Sequence, residues 1–300
     1  MEKHKAIAAK LNEEARENWT NEAWHRQVAS DLATALDYGF VFNNVFSQII
    51  QTETVGEFDR VRITERRGLK VFYTSRGGYI DESQLTTQQW ELPRDTLGFH
   101  VSEHTDKLRA DFATTIAELA SKGESRMEAE VNRRILTLAQ TAVPSTSANY
   151  IATAGLTAAN VDTAIRVVHD AIQPDGAGPV PVTIIGRAAM IDKIAGFVPT
   201  FSPIANEEVR QRGFIGTYKG AQVLVQQQYL DEDGLSYMPG NEMWVLGGMA
   251  GKFALYGGTQ VKSWDENTVD YRHYRARKDV GGLVHHPEQM IRIVDSSVTA

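Results

Sequence analysis

The stretch LRADFATTIAELASKGESRMEAEVNRRILTLAQTA, residues 108–142, decides how the rest of the chain is read. Leu108, Phe112, Ile116 and Leu119 recur on one face of an α-helix, and Met127, Val131, Ile135 and Leu138 continue the stripe. Helix is expected over 103–142. Lys122-Gly123 reads as a break within it, because glycine commonly ends helices. Ser125 followed by Glu128 fits a capping box for a second segment. Pro144 stops the run, and STSAN (145–149) is a linker.

Upstream, the character changes. EFDRVRITERRGLKVFYTSR (57–76) interleaves β-branched and aromatic residues with charge. Val61 and Ile63 alternate with Arg60, Arg62 and Thr64. Arg67-Gly68 reads as a hairpin turn, with Val71 and Tyr73 on the return strand. A further extended region runs from about Gln84 to His100, with Leu92-Pro93 inside it. This ribbon is too polar to form a core and is expected to reach away from the body. The apolar segment 40–50 reads as buried extended chain. Residues 2–37 are rich in helix formers. Ile7, Leu11 and Ala15 share one face, as do Val28, Leu32 and Leu36, and Thr20 or Asn21 could cap the second of two helices. These stripes are narrow, so this arm is expected to pack on something other than itself.

Downstream, residues 150–250 read as an α/β unit. Thr157 caps a helix carrying Val161, Ile165, Val168 and Ile172. A buried strand from Val180 to Ile185, a short helix from about Ala188 to Ala195, and strands at Phe214–Thr217, Gln222–Gln226 and Met243–Leu246 follow. Residues 251–300 are mostly strand, with a turn at Asp265–Asn267.

Composition excludes several kinds of chemistry. There is no cysteine, hence no disulfide, thiolate metal site or cysteine nucleophile. The net charge of −7 lacks the basic excess of a tight nucleic-acid binder. No stretch approaches the ~20 apolar residues of a membrane helix. The charged N-terminus has no signal-peptide core, so the chain is expected to stay where it is made. Gly247 to Phe253 (GGMAGKF) is too short for a phosphate loop, and Phe253 stands where a hydroxyl is needed. His100 and His104 have the spacing of a helical metal pair but straddle a strand-to-helix junction. His285-His286 precede Pro287 in a loop, and Glu207-Glu208 and Asp231-Glu232 lie in turns. No GxSxG or GxGxxG motif occurs, and no catalytic residue, cofactor site or metal site is assigned. The basic and aromatic alternation from Val269 to Lys278 reads as an edge or interface strand with charged gatekeepers.

The order of parts resembles the Hong Kong 97-type major capsid fold of tailed bacteriophages. Residues 108–142 look like that family's spine helix. VPVTIIGRAAMIDKIAGF (180–197) looks like the strand and helix of its axial domain. RGFIGTYKGAQVLV (212–225), a strand pair joined by Tyr218-Lys219-Gly220, is the most family-like string. NEMWVLGGMAGKFALYGG (241–258) and VHHPEQMIRIVD (284–295) resemble its return and closing strands. The resemblance implies an α+β fold in five parts: an N-terminal arm (1–48), an extended hairpin loop (49–102), the spine-helix region of a peripheral domain (103–149), an axial domain (150–250) and closing peripheral strands (251–300).

It also implies a non-enzymatic subunit. Pentamers and hexamers would tile an icosahedral shell around double-stranded DNA, assembled in the host bacterial cytoplasm and carried in the virion. Many copies of the chain, a portal protein and a decoration protein are the implied partners. The short arm implies a separate scaffolding protein. Arg60, Arg62, Arg66, Arg67 and Lys70 on the hairpin are the candidate inter-subunit residues, poised to pair with a neighbour's carboxylates. Rival readings are an encapsulin-like compartment shell of the same fold and an unrelated α/β enzyme.

Overall fold

A computed structural model of the protein describes residues 12–39, 50–67, 86–171, 181–197, 216–226, 238–248, 250–266 and 270–298. The N-terminal helices appear over 12–17 and as α1 (Glu22–Gly39), separated by a turn. Asn21 starts α1: its Oδ1 accepts from the backbone N–H of Ala23 at 3.0 Å and of Trp24 at 3.4 Å, satisfying donors that a helix start leaves free. Ile7, Leu11 and residues 40–49 lie outside the described residues, but Ile50, ending that apolar run, is fully buried.

The strands β1 (Gln51–Val55), β2 (Arg62–Arg67), β3 (Thr86–Glu91) and β4 (Asp95–His104) follow. Then come α2 (Thr105–Ala110) and α3 (Phe112–Ala142). Helix does break in this region, but at Asp111 and not at Lys122-Gly123. Asp111 caps α3, accepting from the Thr114 N–H at 3.4 Å. Gly123 sits inside a continuous helix of 31 residues. A Cβ there would lie 2.7 Å from the ring of Phe99, so the glycine admits a close approach to β4 and ends nothing. Ser125, expected as a cap, instead bonds back to the Ser121 carbonyl at 3.0 Å, as a mid-helix serine does.

The α/β unit largely matches its reading. It comprises β5 (Tyr150–Thr153), α4 (Ala158–His169), β6 (Val182–Arg187), α5 (Ala188–Ala195), β7 (Thr217–Tyr218), β8 (Ala221–Gln226) and β9 (Glu242–Gly247). Thr157 and Asn160 form a reciprocal capping box on α4. Lys219 and Gly220 have φ of 47° and 85°, the two left-handed residues of a tight hairpin turn between β7 and β8. The chain closes with β10 (Gly251–Glu266), β11 (Tyr271–Val284), a 3-10 turn at Pro287–Gln289 and β12 (Met290–Asp295).

Three sheets result. One has the order β1-β10-β11-β4, one β5-β12-β9-β6-β8-β7, and β2 and β3 form a ribbon of two. β11 is therefore an inner strand, hydrogen-bonded on both sides by β10 and β4, and not the edge strand its charges suggested. Among the described residues β2 pairs with β3, Arg67 opposite Thr86, while Gly68 and the expected return strand at Val71 and Tyr73 lie outside the described residues.

α3 links the two large sheets. Its first half packs with α1 on the four-stranded sheet, where Leu32, Leu36, Leu108, Phe112 and Leu119 meet Tyr274 and Ala276. The arm's narrow stripe is thus covered by the body of its own chain. The second half of α3 places Met127, Val131, Ile135 and Leu136 among Trp244 and Leu246 of one sheet and Phe253 and Leu255 of the other. A third cluster buries α4 and α5 on the opposite face of the six-stranded sheet, through Val161, Val168, Met190 and Ile194.

Candidate inter-subunit surfaces

Among the described residues, the ribbon β2–β3 is anchored at its foot, with Trp90 meeting His285 just beyond it. Val61 and Leu92 are buried there with Ala254 and Tyr256, and the Leu92 N–H donates to the Val61 carbonyl at 3.2 Å. Beyond the foot, all of β3 except Trp90 is exposed. Arg60 and Arg62 are exposed, and Arg62 stands in register with Glu91. Arg66 and Arg67 lie further along β2, opposite Thr87 and Thr86. The structure thus sets four of the five candidate residues along one short run of chain, while Lys70 is outside the described residues. A tight turn precedes the ribbon, closed by the Gly56 N–H donating to Asp59 Oδ2 at 2.8 Å. It presents Phe58, 88% exposed, a residue the sequence reading passed over.

The described histidines that the sequence singled out meet other partners. His104 ends β4 and caps α2, accepting from the Asp106 N–H at 3.3 Å. His100 instead meets His273 of β11, ring nitrogen to ring nitrogen at 3.1 Å. His286 sits 2.8 Å from Glu288 Oε1. Among the described residues, no three histidines or carboxylates are arranged to hold a metal ion. Gly247 ends β9 and Gly251 opens β10, so the glycine-rich GGMAGKF is a strand connection. Glu207, Glu208, Asp231 and Glu232 lie outside the described residues.

Two buried carboxylates were missed. Glu242, 1% exposed, accepts from Trp244 Nε1 at 2.7 Å, Arg292 Nη2 at 2.7 Å and Gln140 Nε2 at 3.1 Å. Asp295, with no exposure, accepts from Lys193 Nζ at 2.8 Å, the Leu156 N–H at 2.7 Å and Ser297. Burial alone would raise the Asp295 pKa, but these bonds hold it well below the usual carboxylate range. Both pin the six-stranded sheet to its helices. Their legible signal was an acid set in an apolar strand, EMWVLG or MIRIVD.

This architecture is the Hong Kong 97-type capsid fold. A cyanophage P-SCSP1u capsid structure superposes with a TM-score of 0.58 at 10% identity, over 84% of this chain and 88% of that one. A structure of Mycobacterium phage Bobi gives 0.56 at 13%, covering 86% and 94%. The head of Helicobacter pylori bacteriophage KHP40 gives 0.55 at 12%, covering 82% and 86%. Residues 40–286 match a family model described as "SPbeta prophage-derived putative capsid protein YonB". The chain belongs to that family, a tailed-phage major capsid protein as the resemblance implied. No curated protein matches it. These findings favour a phage shell over an encapsulin compartment.

Proposed function

We propose that copies of this chain form pentamers and hexamers that tile an icosahedral head around double-stranded phage DNA, a structural role without catalysis. The observation that carries this beyond family membership is the ribbon β2–β3, a separate two-stranded sheet among the described residues whose β3 is exposed except at Trp90. A lone two-stranded ribbon is marginal in water. It gains when a neighbouring subunit covers it.

In this reading the four-stranded sheet with α1, α2 and α3 is the peripheral domain. The six-stranded sheet with α4 and α5 is the axial domain, and residues 56–94 are the extended loop. β1 and β4 belong to the four-stranded sheet, and β5 and β12 to the six-stranded one. Arg60, Arg62, Arg66, Arg67 and Lys70 would pair with a neighbour's carboxylates. Each exposed pair contributes only ~0–1 kcal/mol, but a closed shell repeats it many times. A portal protein, a separate scaffolding protein and a decoration protein complete the expected assembly, made in the host cytoplasm.

Electron microscopy of particles from cells expressing this chain with its neighbouring phage genes tests the reading. Icosahedral shells built from it are the expected result. A discrete dimer or tetramer would refute it. Charge reversal at Arg66 and Arg67 should reduce particle yield while the subunit stays folded, and an unchanged yield would remove the ribbon-pairing idea.

A further inference from the structure

The open face of the four-stranded sheet has a register that the single chain does not explain. α1 and α3 cover the other face, which presents Phe99, Val101, Val261, Tyr274 and Ala276. Side chains alternate along a strand, so the uncovered face presents Lys262 and Trp264 of β10, Tyr271, His273, Arg275 and Arg277 of β11, and His100 of β4. Lys262 and Arg275 are direct cross-strand partners. Like charges set opposite each other destabilise a sheet. On the covered face Arg272 is paired with Asp265 at 3.0 Å. Among the described residues no carboxylate pairs with Lys262 or Arg275; Arg277 donates to Gln260 Oε1 at 2.7 and 3.0 Å and its charge acts on the Asp279 carboxylate, and on the same face His273 meets Glu266 Oε2 at 2.9 Å.

Beside this pair the face is aromatic. The Trp264 indole stacks on His100 and on His273, with ring centroids 5.3 and 5.2 Å apart, yet remains 41% exposed. Tyr271 is 38% exposed. These are two of the four large hydrophobic side chains left exposed among the described residues, and they share one end of one face. Next to them lies a trough of about 550 Å³ lined by Gly98, His100, Trp264, Arg275 and Arg277.

We propose that this face is an inter-subunit contact that receives a carboxylate-bearing segment of a second copy of the chain. Arg275 and Arg277 would grip the carboxylate while Trp264 covers the apolar part of the same segment. Tryptophan, tyrosine and arginine are the residues that concentrate binding energy at protein interfaces. With 38 acidic residues against 31 basic ones, a second copy supplies surplus carboxylates. A duplex phosphate backbone would engage the cations but leave the indole and phenol unused. The inference rests on the shell-subunit reading and adds a specific surface to it.

The test uses the full chain co-expressed with its neighbouring phage genes. In Lys262→Gln/Arg275→Gln the like-charge pair is gone, so the isolated subunit should melt at the wild-type temperature or slightly above it. Recovery of sedimenting particles per folded subunit should nevertheless fall at least tenfold. Trp264→Phe should also lower recovery with circular dichroism unchanged. Wild-type particle yield from the glutamine pair would overturn the proposal. A glutamine pair that melts lower than wild type would assign the two cations a role inside the monomer, also overturning it. Normal shells that retain less DNA would give the face to nucleic acid instead. Absence of any multi-copy particle from the wild-type chain would refute the underlying shell reading, a result distinct from all of these.

Discussion

Replacing Glu242 with alanine removes the carboxylate on which the Trp244 indole, the Arg292 guanidinium and the Gln140 amide converge. The Arg292 side chain is 19% exposed, so its charge would be left mostly buried and without this partner. Breaking a buried ion pair from one side costs about 3–5 kcal/mol, and Arg292's partial exposure favours the lower end. The buried Trp244 N–H adds roughly 1 kcal/mol as an unmet donor. We expect a loss of about 4 kcal/mol, a large share of the ~5–15 kcal/mol typical of a folded protein. At roughly 2 °C per kcal/mol for a chain of this size, the melting temperature should fall by about 8 °C. Glu242→Gln keeps an acceptor for Trp244 and removes only the charge, so about half the loss is expected. The assay is urea unfolding of the isolated subunit followed by tryptophan fluorescence, with a thermal melt beside it. Glu242→Met/Arg292→Met supplies the control, since an apolar pair of similar volume should recover much of the loss. Glu242→Ala within about 1 kcal/mol of wild type would refute this reasoning. So would a double variant no better than the single one.

Asp295 titrates below the ordinary carboxylate range when folded, so the stability it contributes is complete above about pH 4 and is lost as the pH falls through its depressed value. Asp295→Asn should flatten acid unfolding in that window and cost about 2 kcal/mol at neutral pH, measured by urea unfolding at stepped pH. Gly123→Ala would gain about 1 kcal/mol on an open helix, but here its Cβ meets the Phe99 ring at 2.7 Å. We expect a net loss of about 1–2 kcal/mol instead, relieved by adding Phe99→Leu, and a stabilised single variant would disprove the close approach. Burial and donation to Asp162 push the Tyr218 phenol up to about 12. Its contribution should hold below the ordinary tyrosine range and disappear as the pH rises through 12, and Asp162→Asn should bring its ultraviolet titration down.

Local signals in the sequence proved readable where the physics is local. The Thr157 and Asn21 caps follow from side chains bonding to nearby backbone, and the helix of 188–195 forms where its residues placed it although no side chain caps it. Pairing between distant segments left no such trace. Val61 and Ile63 read as one strand of a hairpin, but its partner at Thr86–Glu91 was not legible, because strand choice depends on the whole ribbon and its foot at Val61 and Leu92. Gly123 has the chemistry of a helix end, but its neighbour Phe99 comes from another strand. The charges of β11 suggested an edge, whereas alternate residues serve two environments, Arg272 and Lys278 buried and Arg275 and Arg277 exposed. Of the candidate surface, Arg60 and Arg62 were legible as exposed residues of a polar run. The Lys262–Arg275 conflict was not, since it exists only once β10 and β11 are in register.

The pairing of β1 with β10 joins residues 51–55 to residues 252–256, and β12 is the second strand of its sheet although it is made last among the described strands. Neither large sheet can close until the chain has been made past β11, and the six-stranded one not until β12 is made. Contacts this distant along a chain form slowly. A copy that stops before β11 therefore lacks strands of both large sheets. Topology thus makes completion of each sheet wait on strands far along the chain.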